Sequence, residues 1–444
     1  MTLKSYLGRL TLQKVVWLFA FLFFLILFIP SLFDIDEDLS YNPKAIEIKN
    51  STITGYKDGK LSWLIKASYV WTGRSKYLFR GTGIYYGQLY DSNGKVIVDN
   101  LKAGKVRVNT KSKTLTAFEN IEAHFKKRVD RKQFTEKDLN NISHNSDGDT
   151  IIIKSDELRY FSNTKKTFLT KNVVIKQGSS IIYPQNGIEI DNDRNVGYVE
   201  GGFQLKTDNY HVSGNILEIY IDDEYSVIKG GVEARRLKEV TENVEIDDRE
   251  RDLKESETWL YCDSMSYSSL DDNDVITVSG NIRIAQPDKT FSSEYGYYNK
   301  LQDYYELRDD VVITAQNLEW LLSKDKESFT NKDIVESLDS PVTVNAKHLT
   351  FNAKDKTLKI WGSLLIEQRD KTVTARSMIY DDLSSSLTFD EEVVIKKDKT
   401  DSMLTDQLII DLENEAFFAN KQVRTVFKLK ETTNKTNTKN NTSD

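Results

Sequence analysis

Cysteine is almost absent. Cys262 is the only one in 444 residues, so no internal disulfide can form and the fold must be held by packing and backbone pairing. Histidine is scarce as well. His124, His144, His211 and His348 show no ligand spacing, which leaves no sequence basis for a metal centre. No phosphate loop, G-x-S-x-G elbow or dinucleotide fingerprint occurs. Carboxylates abound without a pattern that would pair two of them for acid–base work. The chain therefore reads as a non-enzyme that needs no cofactor. Basic charge is also not in excess: 61 Lys and Arg against 68 Asp and Glu give a net charge of −7. That argues against a nucleic-acid partner, which would call for a basic stripe. Prolines number five, so little interrupts regular structure, while 22 tyrosines and 20 phenylalanines favour pleated, half-buried strands.

One long apolar run is present. Val15 to Ile29 is wholly apolar and the stretch continues to Phe33, long enough at about 1.5 Å per residue to cross most of a bilayer core. Lys4, Arg9 and Lys14 precede it, and Asp34, Asp36, Glu37 and Asp38 follow. This charge order predicts a short cytoplasmic segment at 1–14, a transmembrane anchor at 15–33 and a body outside the cytoplasm. A cleaved signal peptide is the alternative, although IPSLFD is too bulky for a small-x-small cleavage site.

The body repeats. SDELRY, QNGIEI, GNILEI, CDSMSY, SEYGYY, AKHLTF, ARSMIY and TDQLII recur with fourth positions at Leu158, Ile188, Leu217, Met265, Gly296, Leu349, Met378 and Leu408. A second set of apolar segments is led by Val173, Phe203, Val232, Ile282, Val311, Leu364, Val393 and Val423, in most units 15 residues after the first marker. Steps of 29 to 31 residues dominate. Alternation of period two within each segment, as in Leu158/Tyr160 around Arg159, predicts strands with one apolar face. Polar turns such as NTKK and DNDRN join them, and Gly201, Gly230, Gly280 and Gly362 each stand two residues before a marker, where a bulge or turn would need the missing side chain. The fold class is all-β: an elongated stack of antiparallel two-strand repeats behind the anchor helix.

Residues 34–125 carry the same grammar less regularly, and 150–428 hold the regular array. Charged insertions fall at 126–149, 238–257 and 321–340, and the tail 429–444 has nothing to bury. Cys262 is out of phase with Met265 and Tyr267, which predicts that it faces away from their side.

An anchor followed by KNSTITGYKDGKLSWLIKASYV, with Asp58 and Gly59 in a turn ahead of Trp63, resembles the LptC family, the inner-membrane-anchored periplasmic component of lipopolysaccharide export. The later repeats resemble the LptA/OstA family, which shares the β-jellyroll building block, although the chain is longer than an LptC-like protein. The resemblance implies a slide: acyl chains of lipopolysaccharide, received from an inner-membrane ABC exporter, pass along an apolar groove toward a periplasmic or outer-membrane β-jellyroll acceptor. On that reading the candidate lipid path comprises Leu158, Tyr160, Phe203, Leu205, Met265, Tyr267, Leu349, Phe351, Met378 and Tyr380. The candidate partner edge comprises Phe417, Phe418, Val423, Thr425 and Phe427, apolar where a self-contained solenoid would finish with a polar cap. Taken without the resemblance, the same apolar rows describe a closed core in a structural solenoid that spaces other envelope proteins.

Overall fold

The computed structural model describes residues 44, 46–73, 75–127, 150–237, 256–270, 273–317, 339–397 and 401–426. The expected anchor at 15–33, the tail and most of each charged insertion lie outside the described residues. Among the described residues all regular structure is β, and no helix is long and apolar enough to cross a membrane.

The first six strands are β1 (Ile46–Lys57), β2 (Lys60–Thr72), β3 (Leu78–Tyr90), β4 (Val96–Asn109), β5 (Thr114–Lys126) and β6 (Thr150–Phe161). Four short pieces follow, β7 (Lys166–Thr170), β8 (Val174–Gln177), β9 (Ser180–Pro184) and β10 (Ile188–Asp191). Next come β11 (Val196–Lys206), β12 (Tyr210–Tyr220), β13 (Tyr225–Arg236), β14 (Thr258–Leu270), β15 (Asn273–Ala285), β16 (Lys289–Asn299) and β17 (Tyr304–Ala315). The array ends with β18 (Val342–Asn352), β19 (Thr357–Gln368), β20 (Lys371–Asp381), β21 (Ser386–Lys397), β22 (Asp401–Asp411), β23 (Ala416–Asn420) and β24 (Arg424–Val426).

Each long strand pairs antiparallel with the next, as β4 does with β5 and β20 with β21. The short pieces are halves of strands that elsewhere run unbroken. Both β7 and β8 lie on β6, both β9 and β10 lie on β11, and both β23 and β24 lie on β22. The result is one meander in chain order with two rims. One rim carries tight turns closed by a residue with positive φ, such as Lys165, Asn195, Asp303, Lys356 and Ser385. The other rim holds the turns at 58–59, 91–95 and 369–370, and all three charged insertions connect strands there. It is called the insertion rim below.

The sheet is creased along its length by a repeated backbone device. In alternate strands the two residues just before the marker both have positive φ: Gly201–Gly202, Gly230–Gly231, Gly280–Asn281, Asp309–Asp310, Gly362–Ser363 and Glu391–Glu392 among them. Each pair faces a single residue on the next strand. Gly201 and Gly202, for example, fall between the pairs Glu200–Ile216 and Phe203–Gly214. An extra residue on one side bends that strand and sharpens its twist. Polar side chains opposite the bulges hold them on the outside, as Asn215 does by donating to the Gly230 carbonyl at 2.6 Å. Asn281 likewise donates to Asp263 at 2.8 Å.

Inside the bend, a large residue meets a small one at each step. The register pairs Phe203 with Gly214, Val232 with Cys262, Ile282 with Ser293, Val311 with Ala346, Leu364 with Ala375 and Val393 with Thr405. The small partner makes room for the large side chain in a tight fold. Burying a side chain the size of Leu364 or Val393, at 1% and 0% exposure, contributes about 1.5–3 kcal/mol. This geometry corrects the expectation for Cys262. Opposite the bulge the alternation slips by one residue, so positions three before the marker and the marker itself both turn inward. Cys262 is 4% exposed within the core, and burial pushes its thiol pKa up to about 11.

The crease identifies which glycines matter. At Gly362 (φ 89°) an added Cβ would stand 2.8 Å from the Lys347 Cβ, whereas at Gly231 (φ 77°) it would meet nothing within 4 Å. Gly362→Val should cost at least about 2 kcal/mol, and Gly231→Asn should stay within about 0.5 kcal/mol of the parent, since Asn tolerates the left-handed region. Denaturant midpoints check this, and equal losses at the two sites would contradict the crease assignment.

Candidate functional site

The two sides of the creased sheet enclose an apolar interior whose closure changes along the chain. In the N-terminal part it is shut from rim to rim. Leu115, Ile121, Ala123 and Phe125 of β5 and Ile153, Leu158 and Tyr160 of β6 are at most 1% exposed. The rims meet there through polar contacts at a nearly constant offset along the chain. Lys57 donates to the Asn163 carbonyl at 2.9 Å, 106 residues away. Lys165 donates to Ser62 at 2.9 Å, 103 residues away. The Ser92 amide donates to Asp193 at 2.8 Å, 101 residues away, and Lys127 donates to Glu224 at 2.6 Å, 97 residues away. In each pair one member belongs to the insertion rim and the other to the tight-turn rim.

Lys165 is the most buried of these latches, at 3% exposure. Its ammonium also reaches the Tyr90 carbonyl at 3.1 Å and the Tyr160 hydroxyl at 3.3 Å, and Tyr160 shares a 2.8 Å hydrogen bond with Ser62. Burial lowers the pKa of Lys165 from its ordinary value and pushes that of Tyr160 up to about 12. A satisfied polar network of this kind locks one arrangement of the closed end.

Farther along, the flanks of the interior are more exposed. Tyr210, on the insertion rim, is 47% exposed. The Tyr298 and Tyr305 rings lie tilted to one another with centroids 4.6 Å apart, and the Tyr305 ring is 5.9 Å from that of Phe351. From β19 to β22 the crease stays dry while both flanks meet solvent. Ile360, Leu364, Ala375, Met378, Phe389, Val393 and Leu408 are at most 7% exposed. Leu358, Ile366, Val373, Leu387, Ile395, Met403 and Ile410 are partly buried against them. The arrangement is a groove with an apolar floor and apolar, solvent-touching walls. Its floor joins the closed core, since Ile284 packs against both the Trp63–Ile282 cluster and the Leu307–Leu408 cluster.

The sequence-derived lipid-path residues divide between the two regions. Leu158, Tyr160 and Phe203 are at most 2% exposed, and Leu158 and Tyr160 belong to the shut segment. Leu205 and Met265 are partly buried against the same core, and Tyr267 is 39% exposed at the rim, its hydroxyl donating to Asp274 at 2.8 Å. Leu349 and Met378 lie in the groove floor at 5% and 7%, Phe351 is on the wall and Tyr380, at 7%, donates to Asp382 at 2.8 Å. The candidate path left out the insertion-rim walls Val373 and Met403, whose phase relative to Met378 and Leu408 is reversed by the slip opposite the bulge. Ile395, two residues past Val393, is on the apolar face that alternation gives it. Arg159, outside by phase, is 61% exposed at its side chain.

The candidate partner edge stands at the end of the sheet. Phe417, Phe418 and Val423 are 67%, 54% and 50% exposed, and Thr425 is also exposed. Phe427 lies outside the described residues. The opposite edge, β1, exposes Ile46 and Ile48 at 57% and 50%. A depression of about 380 Å³ at the double strand break is lined by Lys171–Val174 and Tyr183–Gly187, away from the groove. Among the described residues no group of His, Cys, Asp and Glu could hold a metal ion. His124 bonds Glu122 at 3.2 Å and His348 stacks on Trp361 at 5.1 Å.

Comparison with known proteins adds two similarities. Residues 134–215 match the OstA-like protein family, a stretch that takes in β6 to β11 and most of β12. LptH of Pseudomonas aeruginosa, the LptA homologous periplasmic component of the conserved lipopolysaccharide transport device, is similar at 9% identity with a TM-score of 0.24, over 32% of this chain and 95% of LptH. None of the curated proteins matches the chain.

Proposed function

We propose that this chain is a membrane-anchored periplasmic scaffold that carries lipopolysaccharide, or a closely related lipid, by its acyl chains along the groove of β18–β22. The observation that carries this reading is the groove itself, a dry crease flanked by two rows of half-buried aliphatic and aromatic side chains. An acyl chain laid on those walls would remove apolar surface from water on both partners, worth about 0.8 kcal/mol per buried methylene. The OstA-like match is consistent with the same class of cargo. The work of movement comes from an inner-membrane ABC exporter, and the scaffold itself is not catalytic.

A structural role fits one part of the chain. The latched segment from β2 to β12 is packed shut, which suits a rigid spacer between the anchor and the carrying groove. Spacer and carrier are then consecutive functions of one sheet.

The full chain purified from membranes should retain acylated lipid identifiable by mass spectrometry, and a tag ahead of Lys4 should be protected from protease in spheroplasts while one after Lys430 is degraded. Preparations free of lipid would overturn the carrier reading, and a reversed tag pattern would overturn the periplasmic placement. The exposed C-terminal edge suits pairing with another β-jellyroll by strand addition. Val423→Pro and Thr425→Pro remove pairing donors there and should abolish crosslinks from cysteines placed at 421–426 to an envelope partner while leaving upstream strands folded. Unchanged crosslinking in both variants would rule out edge pairing.

A further inference from the structure

The two walls that flank the crease differ in kind as well as in position. Each is a row of register partners, one residue per strand. On the tight-turn side the row runs from Tyr267 through Ile276, Tyr298, Tyr305, Phe351 and Leu358 to Tyr380, across β14 to β20. Five of those seven residues are aromatic. The row on the insertion-rim side, from Leu260 to Val373 over the same strands, is aliphatic except at Phe291. Tyr305, Phe351 and Tyr380 each stand two residues from a buried floor residue, Leu307, Leu349 or Met378, so period two keeps the aromatic row on the inner face.

Burial of apolar surface alone would be served by aliphatic side chains on both sides, and the rings are not sunk into the core. Tyr267 and Tyr305 are 39% and 40% exposed, and Tyr298 and Phe351 are half-buried. The Tyr298, Tyr305 and Phe351 rings follow one another on adjacent strands, with centroids 4.6 and 5.9 Å apart and planes tilted by 32° and 37°. Strands about 4.8 Å apart make these rings a ledge about 10 Å long at the upstream end of the groove. At either end of the row a tyrosine hydroxyl donates to a rim carboxylate, Tyr267 to Asp274 and Tyr380 to Asp382, both at 2.8 Å. A phenolic oxygen that donates its proton still has lone pairs with which to accept.

An aromatic wall offers what an aliphatic one does not: flat, rigid, electron-rich faces for polarised C–H groups, edged by polar tips. A pyranose ring is the matching shape, with C–H groups on its face and hydroxyls around its edge. An acyl chain gains nothing from that flatness, and the aliphatic row opposite suits it. We propose that the ledge of Tyr298, Tyr305 and Phe351 holds the sugar ring of an acylated saccharide whose acyl chains lie on the crease and the aliphatic wall. The cargo is then a glycolipid, carried with its saccharide toward the tight-turn rim. This rests on the carrier reading of the groove.

The test uses the full chain in a sugar-free polyoxyethylene detergent with two probes that share acyl chains, dipalmitoylglycerol and its β-glucoside. Y298L/Y305L/F351L keeps the wall apolar and removes its rings. It should weaken binding of the glucoside about tenfold and leave dipalmitoylglycerol within about twofold. Y297L/Y304L removes a tyrosine pair of the same strands from the outer face, where the ring centroids lie 6.3 Å apart. That variant should leave both probes within about twofold of the parent, and so should Y305F, which keeps the ring. The proposal is overturned if the ledge variant binds the glucoside as the parent does, if it loses both probes equally, or if the outer-face variant or Y305F matches it. It is equally overturned if the parent binds dipalmitoylglycerol but not the glucoside. Failure of the parent to bind both probes would instead overturn the carrier reading, and the ledge with it.

Discussion

Two consecutive residues held in the left-handed region, repeated once per unit just before the marker residue, are what the architecture depends on. Without that pair a strand of 12 residues would run straight through and the meander would be an open, twisted sheet with one greasy face in water. With it, alternate strands bend at the same height, and the bends line up into a crease that gathers Val311, Leu364 and Val393 against Ala346, Ala375 and Thr405. The backbone cost of left-handed residues, of order 1 kcal/mol for those other than glycine, is offset by burial of a large side chain at each step. Glycine supplies the pair at some steps and Asp309–Asp310 or Glu391–Glu392 at others, so the geometry is set by the register of the sheet rather than by glycine alone.

Whether the creased sheet is a core or a groove then depends on its rims. Twist brings the insertion rim of one stretch against the tight-turn rim about a hundred residues later, and Lys57, Lys165, Ser92 and Lys127 fasten the two. In that stretch the interior is shut. Beyond Tyr210 the walls carry Leu358, Val373, Ile395 and Met403 half in water, and the rim tyrosines anchor their hydroxyls on Asp274 and Asp382. One sheet thus provides a rigid closed length and an open trough without any change of topology.

Much of this was legible in the sequence. The 30-residue step, the 15-residue lag and the period-two alternation specified the antiparallel stack, and the glycines before the markers pointed at a bulge. Three things were not. Bulges built from Glu391–Glu392 or Asp309–Asp310 look like ordinary charged strand positions, because local composition does not reveal a φ imposed by pairing. The phase slip opposite each bulge placed Cys262 in the core although simple alternation put it outside. The latches join residues about a hundred apart, so pattern alone did not show that Leu158 and Tyr160 lie in the closed stretch and Met378 in the more open one.

On the proposed carrier reading, closure, and not apolar character, decides where an acyl chain can lie. Photo-activated side chains placed one at a time at Ile153 and Phe125 in the shut segment and at Leu358 and Val373 on the groove wall, in the full chain in cells making its lipid, test this most directly. Lipid adducts at Leu358 and Val373 with none at Ile153 and Phe125 are the expected result. Adducts of equal yield at all four positions would contradict it.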